Sequence, residues 1–270
     1  LVSMRADLLA LMKGNKELAA LDRDVVHLLS SWFNRGFLVL RRIDWQTPAN
    51  ILEQIIRYEA VHEIRSWQDL HHRLDGDRRC YAFFHPALPD EPLIFVEVAL
   101  LPDMPAAIAP LIDKASTPLT PERFRVAAFY SISNCEPGLR NVSLGNFLIK
   151  SVAEQLQREL PRIKTFCTLS PVPGLAAWLL GEPDFAALPH LRRHAAADFE
   201  AARQHLLKLC DGDLAALQRA ATHERMDKES TAALLTLCAA YLLHLSPTPE
   251  GDPVARFHLD NGARLERLNA

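Results

Sequence analysis

The stretch VAAFYSISNCEPGLRNVSLGNFLIKSVAEQLQRELPRIKTFCTLS, Val126 to Ser170, changes its period twice. Its opening, VAAFYSIS, is rich in β-branched and aromatic residues and predicts a strand. The loop CEPGLRNVSLG leads into NFLIKSVAEQLQREL, whose apolar residues recur at helical spacing, and KTFCTLS predicts a second strand ending on Ser170. Strand, helix and strand in succession imply a parallel pair with a right-handed crossover.

Upstream, RRCYAFF and LIFVEVALL flank the Pro-rich connection HPALPDEP and predict two antiparallel strands. A short helix through PAAIAPLID and the polar segment KASTPLTPERF follow. The order β-β-α-β-α-β gives a mixed sheet. Before it, ADLLALM, ELAALDRDVVHLLSSWF and ILEQIIRYEAVHEI carry helical periodicity, with WQTPAN as a turn and Asn50 placed to cap the last helix. The stripe Leu18, Leu21, Val25, Leu28 and Leu29 fits a core or helix–helix contact, or a subunit interface. From about Gly174 to His244 the chain is again helical. The expected fold class is α+β (α/β-like): an all-helical domain over residues 1–75, then a mixed-sheet domain with flanking helices over residues 76–270.

The 270 residues are 49% hydrophobic, enough for a substantial core. With 30 basic and 33 acidic residues the net charge is only -3, so no nucleic acid or anionic membrane is expected as a partner and local groups must hold any anion. The longest apolar runs fall short of a membrane span or carry polar breaks. The five cysteines, Cys80, Cys135, Cys167, Cys210 and Cys238, are scattered and never paired as CxxC, which points to buried thiols in a reducing compartment rather than a disulfide framework or zinc site. A cytoplasmic location is expected. The chain opens at Leu1 rather than methionine, which leaves room for a targeting segment ahead of it.

Three short segments are candidates for chemistry. Arg140-Asn141-Val142-Ser143-Leu144-Gly145 lies between a strand and a helix, where free amides and the helix dipole suit a phosphate. Its R-x-x-S-x-G pattern is similar to the coenzyme A pyrophosphate loop of the GNAT acetyltransferase superfamily, although such turns are also ordinary connections. Ser170 ends the last strand before the corner Pro171-Val172-Pro173-Gly174, the end of an open sheet where ligands bind, yet a turn hydroxyl is the commoner role. No G-x-S-x-G elbow surrounds it. His258, three residues before Asn261-Gly262, is expected near the end of a short extended run. The adjacent His71 and His72 show no pattern that suggests a metal, and none is expected.

Read jointly, YEAVHEIRSWQDLHHRLDGDRRCYAFFHPALPDEPLIFVEVAL, FYSISNCEPGLRNVSLGNFLIKSVAEQLQRELP, TLSPVPGLAAWLLG and DPVARFHLDNGARLERLNA resemble the malonyl-CoA decarboxylase family. The blocks occur in order from about Tyr58 to the end. The resemblance implies a helical oligomerisation domain, giving a homodimer or tetramer, and a GNAT-like catalytic domain that converts malonyl-CoA to acetyl-CoA and carbon dioxide. It implies Ser170 and His258 as catalytic residues, and Arg140, Asn141, Val142, Ser143, Leu144, Gly145 and Asn146, with Ser170 and His258, as the malonyl-CoA site. Animal members carry a glutamate where this chain has Ser143, and family members continue beyond the R-L-E-R-L-N block, so both chain ends are read as incomplete.

Decarboxylation leaves an electron pair on C2, delocalised onto the thioester oxygen. The thioester is itself the electron sink, so no cofactor is expected. A histidine with an unperturbed pKa of about 6.5 suits proton delivery to C2, with Ser170 as its acid/base partner or relay. An acyl-CoA N-acyltransferase and a non-catalytic CoA-binding module are the alternative functions.

Overall fold

In the computed structural model, residues 1–13, 15–142, 144–189, 195–245 and 251–270 are described. The chain divides into two compact units, Leu1–Leu169 and Ser170–Ala270. The first contains helices α1 (Val2–Leu11) and α2 (Ala19–Trp32), strand β1 (Val39–Ile43), helices α3 (Ala49–Tyr58) and α4 (Trp67–Arg73), strands β2 (Arg78–Phe84) and β3 (Ile94–Leu101), the short helix α5 (Ala109–Ile112), strand β4 (Val126–Asn134), helix α6 (Gly145–Glu159) and strand β5 (Thr165–Thr168). The second holds helices α7 (Gly174–Leu180), α8 (Ala195–Leu209), α9 (Ala220–Glu224), α10 (Lys228–Leu245) and α11 (Pro253–Asp260).

The strands form one sheet in the order β1-β2-β3-β4-β5. Neighbours are antiparallel except β4 and β5, which run parallel with α6 between them in sequence. The sheet is thus mixed, as the spacing of apolar runs predicts. Strand β1 corrects the all-helical reading of residues 1–75: VLRRI pairs along β2 from Val39↔Phe84 to Ile43↔Cys80. Its outer positions are exposed or half-buried, so it lacks the continuous apolar run that marks β3. Asn50 is a second correction, because α3 begins at Ala49 with Pro48 at its N-cap and no side-chain cap bond.

Period-two alternation sends the two faces of β2 into different cores. Tyr81 and Phe83 pack with Val96, Val98, Phe129 and the α6 residues Leu148, Val152 and Leu156. Cys80, Ala82 and Phe84 pack instead with Ile51, Leu52 and Ile55 of α3. Leu148, Val152 and Leu156 recur every fourth residue and are fully buried, so one stripe seats α6. Each such side chain contributes about 1.5–3 kcal/mol relative to exposure. At its far end, Glu159 accepts from Tyr81 Oη at 3.1 Å and pairs with Arg79 at 3.3 Å, which fixes how α6 is turned against β2.

The β3–β4 ladder is interrupted between Glu97 and Val98: Glu97 faces Ser131 and Val98 faces Phe129, leaving Tyr130 as the extra residue of a bulge. Behind it lies a buried polar cluster. Glu97 pairs with Arg73 at 3.1 Å, and Ser131 and Ser133 donate to Glu59 at 2.7 and 3.2 Å.

In the second unit, α10 packs Leu237 and Ala233 with Leu206 of α8 and Leu179 of α7. No helix among the described residues is long and apolar enough to cross a membrane.

Candidate active site

The second unit brings two of the expected residues together. Ser170 Oγ and His258 Nε2 lie 2.9 Å apart although 88 residues separate them in sequence. Ser170 is exposed and stands two residues beyond the end of β5. His258 does not lie in an extended run. It sits in the last turn of α11, which begins with Asp252 as N-cap and Pro253 in its first turn. Asp-Pro is a strong helix-start signal, since the carboxylate takes free amides and proline has none to lose. Asn261-Gly262 then ends this helix rather than a strand, with Gly262 at φ 83.

Asp252, which no catalytic motif marks, links the helix that bears His258 to the corner that follows Ser170. It is fully buried. Its Oδ1 accepts the N–H groups of Val254 and Ala255, each at 3.0 Å, and its Oδ2 accepts the N–H of Gly174 at 2.9 Å. One carboxylate therefore caps the helix bearing His258 and holds the corner that follows Ser170. Gly174 is required there: a Cβ would stand 1.9 Å from the Tyr241 hydroxyl oxygen.

Half-buried surroundings disfavour the charged imidazole and lower the His258 pKa below its usual value. The ring is thus neutral at neutral pH, with Nε2 able to accept from Ser170 or donate to it according to tautomer. Among the described residues no carboxylate bonds His258 Nδ1, so the pair differs from a Ser-His-Asp triad. What it offers is a proton carrier beside a hydroxyl.

The expected substrate loop lies in the first unit. Arg140 and Asn141 are exposed, whereas Val142 and Leu144 turn inward to the core. Those two side chains anchor the loop. Asn141 takes a left-handed φ of 68°, which asparagine tolerates better than most residues. Gly145 and Asn146 open α6, whose first intrahelical bond into the loop runs from Leu148 N–H to Leu144 O at 3.0 Å. The first-turn amides before it are the ones that helix geometry leaves free for an anion. Ser143 lies outside the described residues.

His71 and His72 both approach Asp75, at 3.6 and 3.2 Å. Among the described residues no cluster of three or more metal-ligating side chains forms. Cys80, Cys135, Cys210 and Cys238 are buried thiols.

Residues 36–270 match the family model for the malonyl-CoA decarboxylase C-terminal domain, and residues 1–33 match that for its N-terminal domain. The chain is 39% identical over 253 residues to the mitochondrial malonyl-CoA decarboxylase of Anser anser anser, covering 90% of this chain and 50% of that protein. It is 36% identical over 283 residues to the mitochondrial enzyme of Mus musculus, covering 100% and 57%. It thus spans about half the length of the curated relatives it matches. The crystal structure of malonyl-CoA decarboxylase from Rhodopseudomonas palustris superimposes with a TM-score of 0.83 at 52% identity, covering 99% of this chain and 63% of that one. The chain belongs to the malonyl-CoA decarboxylase family.

Proposed function

We propose that this chain decarboxylates malonyl-CoA to acetyl-CoA and carbon dioxide, with Ser170 and His258 as its catalytic residues. The observation that carries the reading is their 2.9 Å contact in a chain of this family. As the C–C bond to the carboxylate breaks, its electron pair moves onto C2 and the thioester oxygen. His258 supplies the proton to C2, directly or through the Ser170 hydroxyl, and is recharged from water. A bound malonyl carboxylate favours the imidazolium and so offsets the effect of burial on His258.

Coenzyme A is part of the substrate, and the thioester serves as electron sink, so the proposed reaction uses no cofactor. Arg140, Asn141, Val142, Ser143, Leu144, Gly145 and Asn146 form the proposed phosphate-holding segment, with the anion taken by α6 amides and Arg140. The segment up to residue 75 is proposed to carry homodimer or tetramer contacts, and residues 76–270 the catalytic domain. Exposed Met4, Leu11, Leu21 and Trp32 on α1 and α2 support such contacts. A cytoplasmic location is part of the proposal.

The test is incubation with malonyl-CoA alone, with products resolved by mass. Acetyl-CoA and carbon dioxide are expected. Free CoA appearing only when an amine is added would make the protein an N-acyltransferase. Binding without turnover would leave a CoA-binding module.

A further inference from the structure

We propose that Arg5, on α1, is a positioning residue for the substrate loop, so that the N-terminal segment sets affinity for the CoA moiety. The inference rests on the reading of Arg140–Asn146 as the loop that holds CoA. Arg5 is 1% exposed, unusual for a charged residue. Its Nη1 donates to the carbonyls of Gly138 at 2.7 Å and Arg140 at 2.5 Å. Its other edge is held by Asp22 of α2, with Nε to Oδ1 at 2.9 Å and Nη2 to Oδ2 at 3.5 Å. Asp22 neutralises the buried cation and fixes the plane of its fork, leaving the opposite edge aimed at the loop backbone.

That aim has a direct effect on the loop. A trans peptide places N–H and C=O on opposite sides, so holding the Arg140 carbonyl toward Arg5 turns the Asn141 N–H away from α1. Asn141 is the left-handed residue of the loop, and the peptide before it is the one that must be held for that conformation to persist. The turn beneath is equally constrained. A Cβ on Gly138 would stand 2.0 Å from the Val2 carbonyl oxygen, so α1 lies against this turn at a distance only glycine permits. The inward-facing Val142 and Leu144 hold the loop from the core side, and Arg5 holds it from α1.

The experiment compares wild type with Arg5→Gln, Arg5→Lys and Asp22→Asn, all as the full chain. It reads malonyl-CoA steady-state kinetics, CoA binding by calorimetry, and amide hydrogen exchange at residues 138–142. Arg5→Gln is expected to raise KM and the CoA Kd by roughly 10- to 100-fold while kcat changes far less, the signature of a misplaced binding group. Lysine, with a point charge instead of a fork, restores little of the loss. Asp22→Asn leaves the guanidinium present but unaligned and gives a smaller rise of the same kind. Faster exchange at 138–142 accompanies each. Folded Arg5→Gln with wild-type KM, Kd and exchange overturns the proposal; if that variant does not fold, unchanged KM and exchange in Asp22→Asn overturn it. Wild-type protein with no affinity for CoA overturns the reading of the loop instead, and the exchange data then decide by themselves whether Arg5 holds it.

Discussion

The Oδ2 atom of Asp252 accepts the Gly174 N–H at 2.9 Å, so the residue that caps the His258 helix also grips the corner beside Ser170. The carboxylate bonds the backbone around Ser170 and His258 rather than their side chains, and so sets the placement of both. We predict that Asp252→Asn lowers kcat roughly tenfold or more with little change in CoA affinity, since it sets an amide nitrogen against at least one backbone N–H. Asp252→Ala also removes a helix cap and destabilises the fold by about 1 kcal/mol or more. Kinetics and thermal unfolding on both variants separate the two effects, and an Asp252→Asn enzyme with normal kcat refutes the positioning role.

Ser170→Ala and His258→Ala are each expected to lower kcat by about 10²–10⁴, the usual range for removing a general acid or base. On the proposal that the two share one proton, the double variant should fall little further than the worse single one. Independent, multiplying losses measured by single-turnover kinetics would mean that they do not share a proton.

The pH profile follows from the direction of the His258 shift. Burial lowers its pKa in the free protein, so the limb of kcat/KM that reports the imidazolium donor lies below about 6.5 and activity falls as pH rises through it. With substrate bound, the malonyl carboxylate raises that pKa, and the same limb in kcat moves to higher pH. Coincident limbs in the two profiles would exclude a carboxylate beside His258 in the complex.

Glu97 governs a separate pH dependence, that of stability. Its complete burial pushes the carboxyl up to about 8, outweighing the attraction of Arg73 at 3.1 Å. Burial opposes the charge on Arg73 too, but the neighbouring Glu97 holds its pKa above the usual value. The folded state therefore binds more protons than the unfolded state between about pH 4.5 and about pH 8. This contribution is whole below that window and is lost as pH rises through it. His62 and His258, both lowered, act in the opposite sense, so the comparison must be with Glu97→Gln. Urea midpoints across this range should decline less steeply with pH in Glu97→Gln than in the parent; parallel curves would show that Glu97 is already ionised.

Most of the sheet was legible because its central strands declare themselves. RRCYAFF is β2 to the residue, and all of LIFVEVALL but its first residue forms β3, buried almost throughout. Strand β1 carries little sequence signal because an edge strand with arginines at Arg41 and Arg42 has no face apolar enough to show period two. The helical setting of His258 is readable in principle from Asp252-Pro253, but Asn261-Gly262 suits a strand-end turn and a helix terminus equally well, so the pair alone does not decide between them. The Ser170–His258 pairing was not legible from spacing at all, since no local pattern relates residues so far apart. The resemblance alone suggested it. Arg5 was invisible for a different reason, because nothing in VSMRADLL shows which arginine will be enclosed.

The approach of the Val2 carbonyl to Gly138 leaves no slack between the first helix and the loop that follows β4. A displacement of one is a displacement of the other. Thermodynamic linkage then makes the effect mutual: whatever grips α1 and favours one placement of the loop alters affinity there, and a ligand held by the loop strengthens or weakens that grip by the same factor.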